Sequence, residues 1–292
     1  MSIEYASFLG CQIPLRLPSI EIASRKVFSK LGLKTVDLLG YSCCPEPVIS
    51  RLLDKTAWLA ISARNLAIAE EQNLNLMTLC NGCYETLVET NEILRKEPEE
   101  RERVNRILRQ FGKEYNGGVE VKHVIEVLYE EVGIQKIRDN IVNPQNMRVA
   151  LHYGCHMYRE PHGDDIMRKP NMMKEIARVA GVETVDYGLE RLCCGYPSMQ
   201  ADEEFSLTQR LLPKLSSIDI SGAEAVLLSC PACTLQFEIG QVSLRQRGHQ
   251  YRYPCINIME VLALSFGFSP RELHLEMHRS PVMRFVQEKE RG

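Results

Sequence analysis

The chain has 292 residues, enough for one large domain or two ordinary ones, each with its own hydrophobic core. Hydrophobic residues make up 45% and charged residues 25%, and the net charge of −3 argues against a basic nucleic-acid-binding protein. No secretory signal pattern and no run of about 18 apolar residues is present. We therefore expect a cytoplasmic protein that binds no nucleic acid and does not insert into a membrane.

The chain contains 11 cysteines, and ten of them form two sets with the same spacing. Each set has one cysteine, a gap of 31 or 37 residues, an adjacent pair, a gap of 35 residues, and then a CxxC pair. From the adjacent pair onward, the second set follows the first at a distance of 150 residues. The flanking sequences agree, since "GLKTVD" (32–37) matches "GVETVD" (181–186). These matches predict an internal duplication.

Each half reads as strand, cysteine loop, helix, strand, cysteine-pair turn, helix, strand, CxxC turn and helix. Short apolar runs alternating with helical patterns predict an α/β fold, with a small, mostly parallel sheet and flanking helices in each half. The cysteine loops should lie at the carboxyl ends of the strands and face the interface between the domains. The segment 133–147 predicts the boundary, giving domains 1–143 and 144–292. The charged segment 95–110 predicts an exposed helix.

The residues alone leave several uses for these cysteines open. They could be buried as small apolar side chains, or form disulfides, although five per set leaves one thiol over. A structural zinc site is another alternative, but neighbouring side chains point in different directions and suit one small ion poorly. Two adjacent thiolates suit an iron–sulfur cluster, where they can reach different irons, and a CxxC at a helix start adds backbone N–H groups.

The double pattern resembles the cysteine-rich CCG domain, and a chain of two such domains resembles the catalytic B subunits of heterodisulfide reductases from methanogenic archaea. The resemblance covers nearly the whole chain. Cys193-Cys194-Gly195 fits the family motif, whereas Cys43-Cys44-Pro45 has proline in place of glycine. The resemblance implies two non-cubane [4Fe–4S] clusters, held by five cysteines each. The first ligand set would be Cys11, Cys43, Cys44, Cys80 and Cys83, and the second would be Cys155, Cys193, Cys194, Cys230 and Cys233.

The resemblance also implies the reaction, a step of methanogenesis in which the mixed disulfide of coenzyme M and coenzyme B is reduced to two thiols at the clusters. Two clusters facing each other could take one sulfur each, which avoids a free thiyl radical. No ferredoxin-like cysteine run and no nucleotide fingerprint is present, so no flavin or nicotinamide is expected in this chain. The implied partners are a ferredoxin-like [4Fe–4S] subunit as electron donor, a flavin-containing subunit, and a hydrogenase or formate dehydrogenase module.

Other residues are predicted to contact the substrate or a cluster. If the substrate carries anionic groups, cations should converge on the site, and His156 and Arg159 follow Cys155 directly. The other candidates in the same loop are His162, Arg168 and Lys169. His152 is a candidate hydrogen-bond or proton donor beside a cluster, or else a structural histidine.

The remaining histidines and the eleventh cysteine are not assigned to the site. His274 and His278 are interpreted as surface residues, because no third metal ligand accompanies them. Cys255 corresponds to Val121 in the repeat and is predicted to be buried without binding a cluster.

Two other functions stay open at this point. The chain could be an electron-relay subunit of another oxidoreductase, of the succinate, lactate, glycolate or glycerol-phosphate type. It could instead be a zinc-stabilised scaffold without redox activity.

Overall fold

The computed structural model describes residues 3–158 and 165–291. Its first half contains a four-stranded parallel sheet in the order β2-β1-β3-β4. The strands are β1 (Glu4–Phe8), β2 (Lys34–Asp37), β3 (Leu76–Thr78) and β4 (Val121–His123). The helices are α1 (Gln12–Arg16), α2 (Pro18–Leu31), α3 (Ile49–Leu53), α4 (Lys55–Glu71), α5 (Asn81–Lys96), α6 (Pro98–Leu108), α7 (Val124–Glu126) and α8 (Ile134–Asp139). A 3₁₀ turn follows α6 at Arg109–Phe111, and a π-helical turn joins α7 to α8 at Val127–Gly133.

The second half repeats this arrangement, with the strand order β6-β5-β7-β8. Its strands are β5 (Met147–His152), β6 (Val182–Val185), β7 (Ala225–Leu228) and β8 (Cys255–Asn257). Its helices are α9 (Arg168–Val179), α10 (Glu203–Phe205), α11 (Leu212–Ser221), α12 (Pro231–Gln246), α13 (Ile258–Ser265) and α14 (Val282–Arg291). Shorter turns lie at Cys155–Tyr158, Tyr196–Ser198 and Leu275–Met277 (3₁₀), and a π-helical turn at Ser206–Leu211 joins α10 to α11.

The sheets are buried at their centres, because β1, β3, β5 and β7 are flanked by strands and covered by helices. β7, with the sequence Ala-Val-Leu-Leu, is buried at every position, as a central parallel strand requires. β1 pairs in parallel with both β2 and β3, and β5 pairs in the same way with β6 and β7. The predicted α/β fold of two duplicated domains is therefore confirmed.

The two halves pack closely on each other. α2 of the first half lies against α13 of the second, and α7 lies against α9. Apolar side chains from both halves join in one core, including Ile20 and Val27 from the first and Val261 and Leu264 from the second. The expected boundary near residue 143 falls between α8 and β5, where it stays a prediction.

Helix α6 occupies the charged segment, as predicted. Its charged residues are on the outside, while Val104 and Leu108 attach it to the core. No helix in the described parts of the chain is both long enough and apolar enough to cross a membrane.

The interpretation of His278 as a surface residue is wrong. Its side chain is completely buried, and its two ring nitrogens lie 2.8 Å from carboxylate oxygens of Glu238 and Glu260. The segment after α13 folds back over the second half and carries His278 inside, a long-range contact that the spacing could not indicate. His274 is exposed, as expected. Cys255 is fully buried, also as predicted.

Candidate metal centre

All ten cysteines of the two sets line one cavity of about 410 Å³ between the halves. In the first half, Cys11 precedes α1, the Cys43–Cys44 pair follows β2, and Cys80 and Cys83 lie at the start of α5. Each position follows the carboxyl end of a parallel strand, where loops from neighbouring strands meet. The Sγ atoms of Cys11 and Cys43 lie 3.9 Å apart.

The second set is arranged in the same way around β5, β6 and β7. The Sγ atoms of Cys155 and Cys193 lie 3.9 Å apart, and those of Cys194 and Cys233 lie 3.4 Å apart. The structure contains no disulfide among these cysteines. Within each adjacent pair, one thiol is more exposed than the other: Cys43 is exposed and Cys44 is buried. The members of a pair thus face different parts of the cavity.

Two helix N-termini point into the cavity. Cys80 and Cys230 are the N-cap residues of α5 and α12, and neither cap makes a side-chain hydrogen bond to the first turn. Backbone N–H groups at these ends favour negatively charged sulfur. Hydrogen bonds from the thiols of Cys233 and Cys80 hold the pKa of Cys230 well below its usual value, and the N–H groups of Ala232 and Cys233 act in the same direction.

A glycine with positive φ precedes the first cysteine of each set. Gly10 has φ +69°, and a Cβ atom there would lie 2.9 Å from Sγ of Cys83. Gly154 has φ +83°, and a Cβ atom there would lie 2.7 Å from Nδ2 of Asn81. Both positions therefore require glycine for conformation and for space.

The two sets meet at the interface between the halves. Cys80 and Cys230 lie on either side of it, and the neighbouring Cys230 together with burial raises the pKa of Cys80 well above its usual value. Asn81 is fully buried, and its Nδ2 donates to the carbonyl oxygen of Tyr153 at 2.6 Å. Ser229 Oγ donates to Oδ1 of the same asparagine at 3.2 Å. One CxxC turn is thus fastened to the opposite half, which fixes the distance between the two sets.

The donor set fits iron–sulfur chemistry, because ten thiols converge and few hard oxygen ligands accompany them. A ring nitrogen of His152 and the Sγ atoms of Cys194 and Cys233 lie within 4.8 Å of one another. His152 is buried, and its Nε2 atom has no hydrogen-bond partner among the described residues. Burial, followed by the charge of Lys214, lowers the pKa of His152 to about 3, so the ring is neutral at pH 7. A neutral ring can donate one N–H to sulfur.

The predicted cations lie in different places. His156 lines the cavity, and its Nδ1 contacts the carboxylate of Glu85 of the first half. Arg168 forms ion pairs with Glu126 and Glu130. Lys169 is fully buried, with its Nζ 5.1 Å from the ring centroid of Tyr84, and it does not line the cavity. Arg159 and His162 lie outside the described residues.

Sequence reasoning missed two polar groups near the cysteines. Arg16, in the last turn of α1, is exposed and lines the cavity. Its position five residues after Cys11 was the available signal. Lys214 of α11 is buried near the second set, and its Nζ lies 3.3 Å from the hydroxyl of Tyr187. Nothing in the local sequence distinguishes this lysine from an exposed one.

Comparison with known proteins agrees with the site. The CCG family, described as a cysteine-rich domain, matches residues 5–88 and again residues 149–238. The B subunit of the Ferredoxin:CoB-CoM heterodisulfide reductase of Methanosarcina mazei is 35% identical over 286 residues, which cover 96% of this chain and 94% of that protein. This chain belongs to the family of heterodisulfide reductase B subunits. Members of this family are oxidoreductase subunits, so the chain is a CCG-domain redox subunit of the iron–sulfur class.

Two further similarities are informative. The 8-methylmenaquinol:fumarate reductase membrane anchor subunit of Wolinella succinogenes is 26% identical, and the match covers 94% of this chain and 96% of that protein. A crystal structure of a hypothetical protein from Helicobacter pylori shares the fold, with a TM-score of 0.74 and 16% identity over 95% of this chain. This chain spans about half, 52%, of that longer structure. The Methanosarcina and Wolinella relatives are each named as one subunit of a reductase, which shows that the family works in multi-subunit reductases.

Proposed function

We propose that this chain is the catalytic subunit of a heterodisulfide reductase that reduces the coenzyme M–coenzyme B disulfide. The observation that carries the proposal is the single cavity lined by both five-cysteine sets. Cys11, Cys43, Cys44, Cys80 and Cys83 would hold one non-cubane [4Fe–4S] cluster. Cys155, Cys193, Cys194, Cys230 and Cys233 would hold the other.

When bound, the two clusters would supply the two electrons needed to cleave a disulfide. Two protons are also consumed, so that the disulfide yields two free thiols. The protein would orient the S–S bond between the two sets, whose separation is fixed by the Asn81 contacts across the interface. The buried walls exclude water from this position, since Cys44, Cys80, Cys194 and Cys230 have little exposed surface.

The anionic ends of the substrate would be bound at the mouth of the cavity. Arg16 and His156 line the cavity there, and His156 is held by Glu85. His152 lies deeper and would donate a hydrogen bond to sulfur rather than bind an anion. Arg159 and His162 stay predictions as substrate contacts, whereas Lys169 is buried and does not line the cavity.

Replacing Arg16 with glutamine should raise KM for the disulfide about tenfold and leave kcat within about twofold, because one charge-assisted hydrogen bond to a bound anion is lost. Steady-state kinetics with a reduced viologen as electron donor measures both constants. Arg284→Gln, on the exposed surface of α14, is the matched control. An unchanged KM in the Arg16 variant would remove Arg16 from the substrate site.

The direct test of the proposed function is metal and sulfide analysis followed by spectroscopy. We expect iron and acid-labile sulfide in amounts that correspond to two four-iron clusters. Addition of coenzyme M to the oxidised protein should produce a new paramagnetic signal, because the thiol binds directly at a cluster. Zinc without sulfide would instead support a structural scaffold. Clusters that give no response to the thiol would favour an electron relay, the alternative to which the fumarate reductase relative points.

The proposed partners are a ferredoxin-like subunit as electron donor, a flavin-containing subunit, and a hydrogenase or formate dehydrogenase module, all in the cytoplasm. Leu52 and Leu53 of α3 support docking of the ferredoxin-like subunit, since both are 82% exposed and follow the Cys43–Cys44 loop closely. The equivalent stretch of the second half, 198–203, reads SMQADE and is polar. Size-exclusion chromatography with a separately expressed ferredoxin-like subunit tests this contact, and Leu52→Glu should weaken it.

A further inference from the structure

The two cysteine sets belong to the same repeat, but only the second has a buried positive charge, Lys214, next to it. Lys214 has no exposed surface, and its Nζ contacts the Tyr187 hydroxyl at 3.3 Å and donates to the carbonyl oxygen of Leu189. No carboxylate of the described residues forms an ion pair with it. Burial lowers the pKa of Lys214 to about 8, and the negative charges of Cys194, Cys233 and Glu190 oppose that decrease. Lys214 is therefore a buried cation beside the second cysteine set, with the Glu190 carboxylate contributing further negative charge.

Counted from the end of the helix, the buried position of Lys214 is taken in the first half by a neutral residue, Asn65. Gly222 and Asn73 both have positive φ and follow the last turns of their helices. Lys214 lies eight residues before Gly222, and Asn65 lies eight residues before Asn73. Asn65 is fully buried and holds the corresponding loop, accepting a hydrogen bond from Ser42 N at 2.9 Å. Both side chains thus bind the loop before an adjacent cysteine pair. Arg64, the neighbour of Asn65, also contacts the first loop, with its Nη2 donating to the Gly40 carbonyl at 2.9 Å, but Arg64 is partly exposed, so only Lys214 brings a buried charge.

A second difference between the halves also stabilises negative charge on the second cysteine set. The backbone N–H of Gly195 donates to Sγ of Cys193 at 3.4 Å. Pro45 occupies the equivalent position in the first half and has no N–H, so Cys43 cannot receive this hydrogen bond. Gly195 also has φ +93°, which proline cannot adopt, so the first loop takes another path. Along that path the Pro45 carbonyl accepts a hydrogen bond from Thr86 Oγ1 at 3.0 Å.

Both differences affect how easily a cluster accepts an electron. Reduction makes a cluster more negative, and its potential depends on nearby charge, hydrogen bonds to sulfur and contact with water. A fixed cation in a low-dielectric interior has a large effect, because little water screens it. Water at the exposed Cys43 also stabilises a reduced first cluster, so the buried lysine and the Gly195 hydrogen bond must outweigh this effect for the second site to be reduced first.

We propose that Lys214 raises the reduction potential of the cluster at the second cysteine set above that of the cluster at the first. An electron that enters the pair of sites then resides at the second one. This inference rests on the proposed function, since it requires a cluster at each set. In this proposal Lys214 acts through its positive charge on the cluster and does not contact the substrate.

The test is a redox titration of the cluster-loaded protein, followed by electron paramagnetic resonance. Cys11→Ala and Cys155→Ala, which each disrupt one set, assign the signals to the two sites. In the unmodified protein the second centre should be reduced at the higher potential. Lys214→Met should shift that centre to a lower potential and leave the first unchanged. Lys214→Arg keeps the charge and should stay near the original value.

Asn65→Leu is the matched control, because it removes a buried polar group from the equivalent helix position without removing charge. The Asn65→Leu variant should not change the reduction potential of the second cluster. Lys214→Gln keeps a donor for the Leu189 carbonyl and replaces Lys214→Met if the latter loses iron. A second centre that titrates at or below the potential of the first overturns the inference, as does an unshifted potential in the neutral variants. Absence of iron and sulfide from the unmodified protein would contradict the proposed function instead.

Discussion

Replacing Cys193 with alanine should abolish the proposed second cluster and nearly all disulfide reduction, while the proposed first cluster remains. Cys193 lies 3.9 Å from Cys155 and is one of the five thiols of its set, so its loss opens the cage on one side. We expect the rate to fall by roughly three orders of magnitude, equivalent to about 4 kcal/mol in the activation barrier, because one of two electron-supplying sites is gone.

Iron and sulfide analysis, together with viologen-linked disulfide reduction, measures both effects in the same preparation. Cys255→Ala is the matched control, since Cys255 is more deeply buried than Cys193 but hydrogen-bonds to Gln241 and the Tyr253 carbonyl away from the cavity. That variant should keep both clusters and its activity. Full disulfide reduction by Cys193→Ala protein that has lost its second cluster would disprove the two-cluster scheme.

The second large effect concerns the buried charges around His278, which connect α12 and α13 to the C-terminal segment. Both ring nitrogens face carboxylates, of Glu238 and Glu260, at 2.8 Å. Burial by itself would lower the pKa of His278, but the charge of Glu260 and the hydrogen bonds to both carboxylates raise it to about 10. His278→Leu leaves two carboxylates buried without their cation and should reduce the free energy of unfolding by about 3–5 kcal/mol.

The sign of the pH dependence follows from the raised pKa. The histidine contributes its full stability below about pH 6.5, where it is also protonated in the unfolded chain, and loses it as the pH rises through about 10. Urea denaturation followed by circular dichroism should therefore show a difference between the two proteins that shrinks between pH 6.5 and pH 10. The exposed His274 gives the control, as His274→Leu should change stability by less than about 0.5 kcal/mol. A His278→Leu variant as stable as the His274 variant would contradict the prediction.

The duplicated fold was predictable because its evidence is local or periodic. β7 is a short apolar run, and α2 ends at Gly32 with φ +64°, as a helix followed by glycine should. The grouping of the ten cysteines into two sets was predictable for the same reason, since both their spacing and their order after the strands repeat. Parallel strands bring their carboxyl ends together, so the order of strands and cysteines alone places the cysteine loops at one edge of each sheet.

The polar surroundings of the cysteines depend on contacts between distant residues, which carry no periodic signal. Asn81 has an ordinary place in a CxxC turn, yet it bonds to Tyr153 of the other half. Lys169 resembled a loop cation and is completely buried. The position of Arg16 in the cavity wall depends on how α1 is oriented after Cys11.

The sequence by itself determined the duplication, the alternation of strands and helices, and the two five-cysteine sets, because each rests on spacing along the chain. It also contained the substitution of Pro45 for glycine, but not its consequence. Only the tertiary structure decided that the two sets open into one cavity, that His278 is buried between two glutamates, and that Lys214 lies behind one set alone. These features arise where segments far apart in the chain pack together, and burial there changes the charge and hydrogen bonding of residues that look ordinary in sequence.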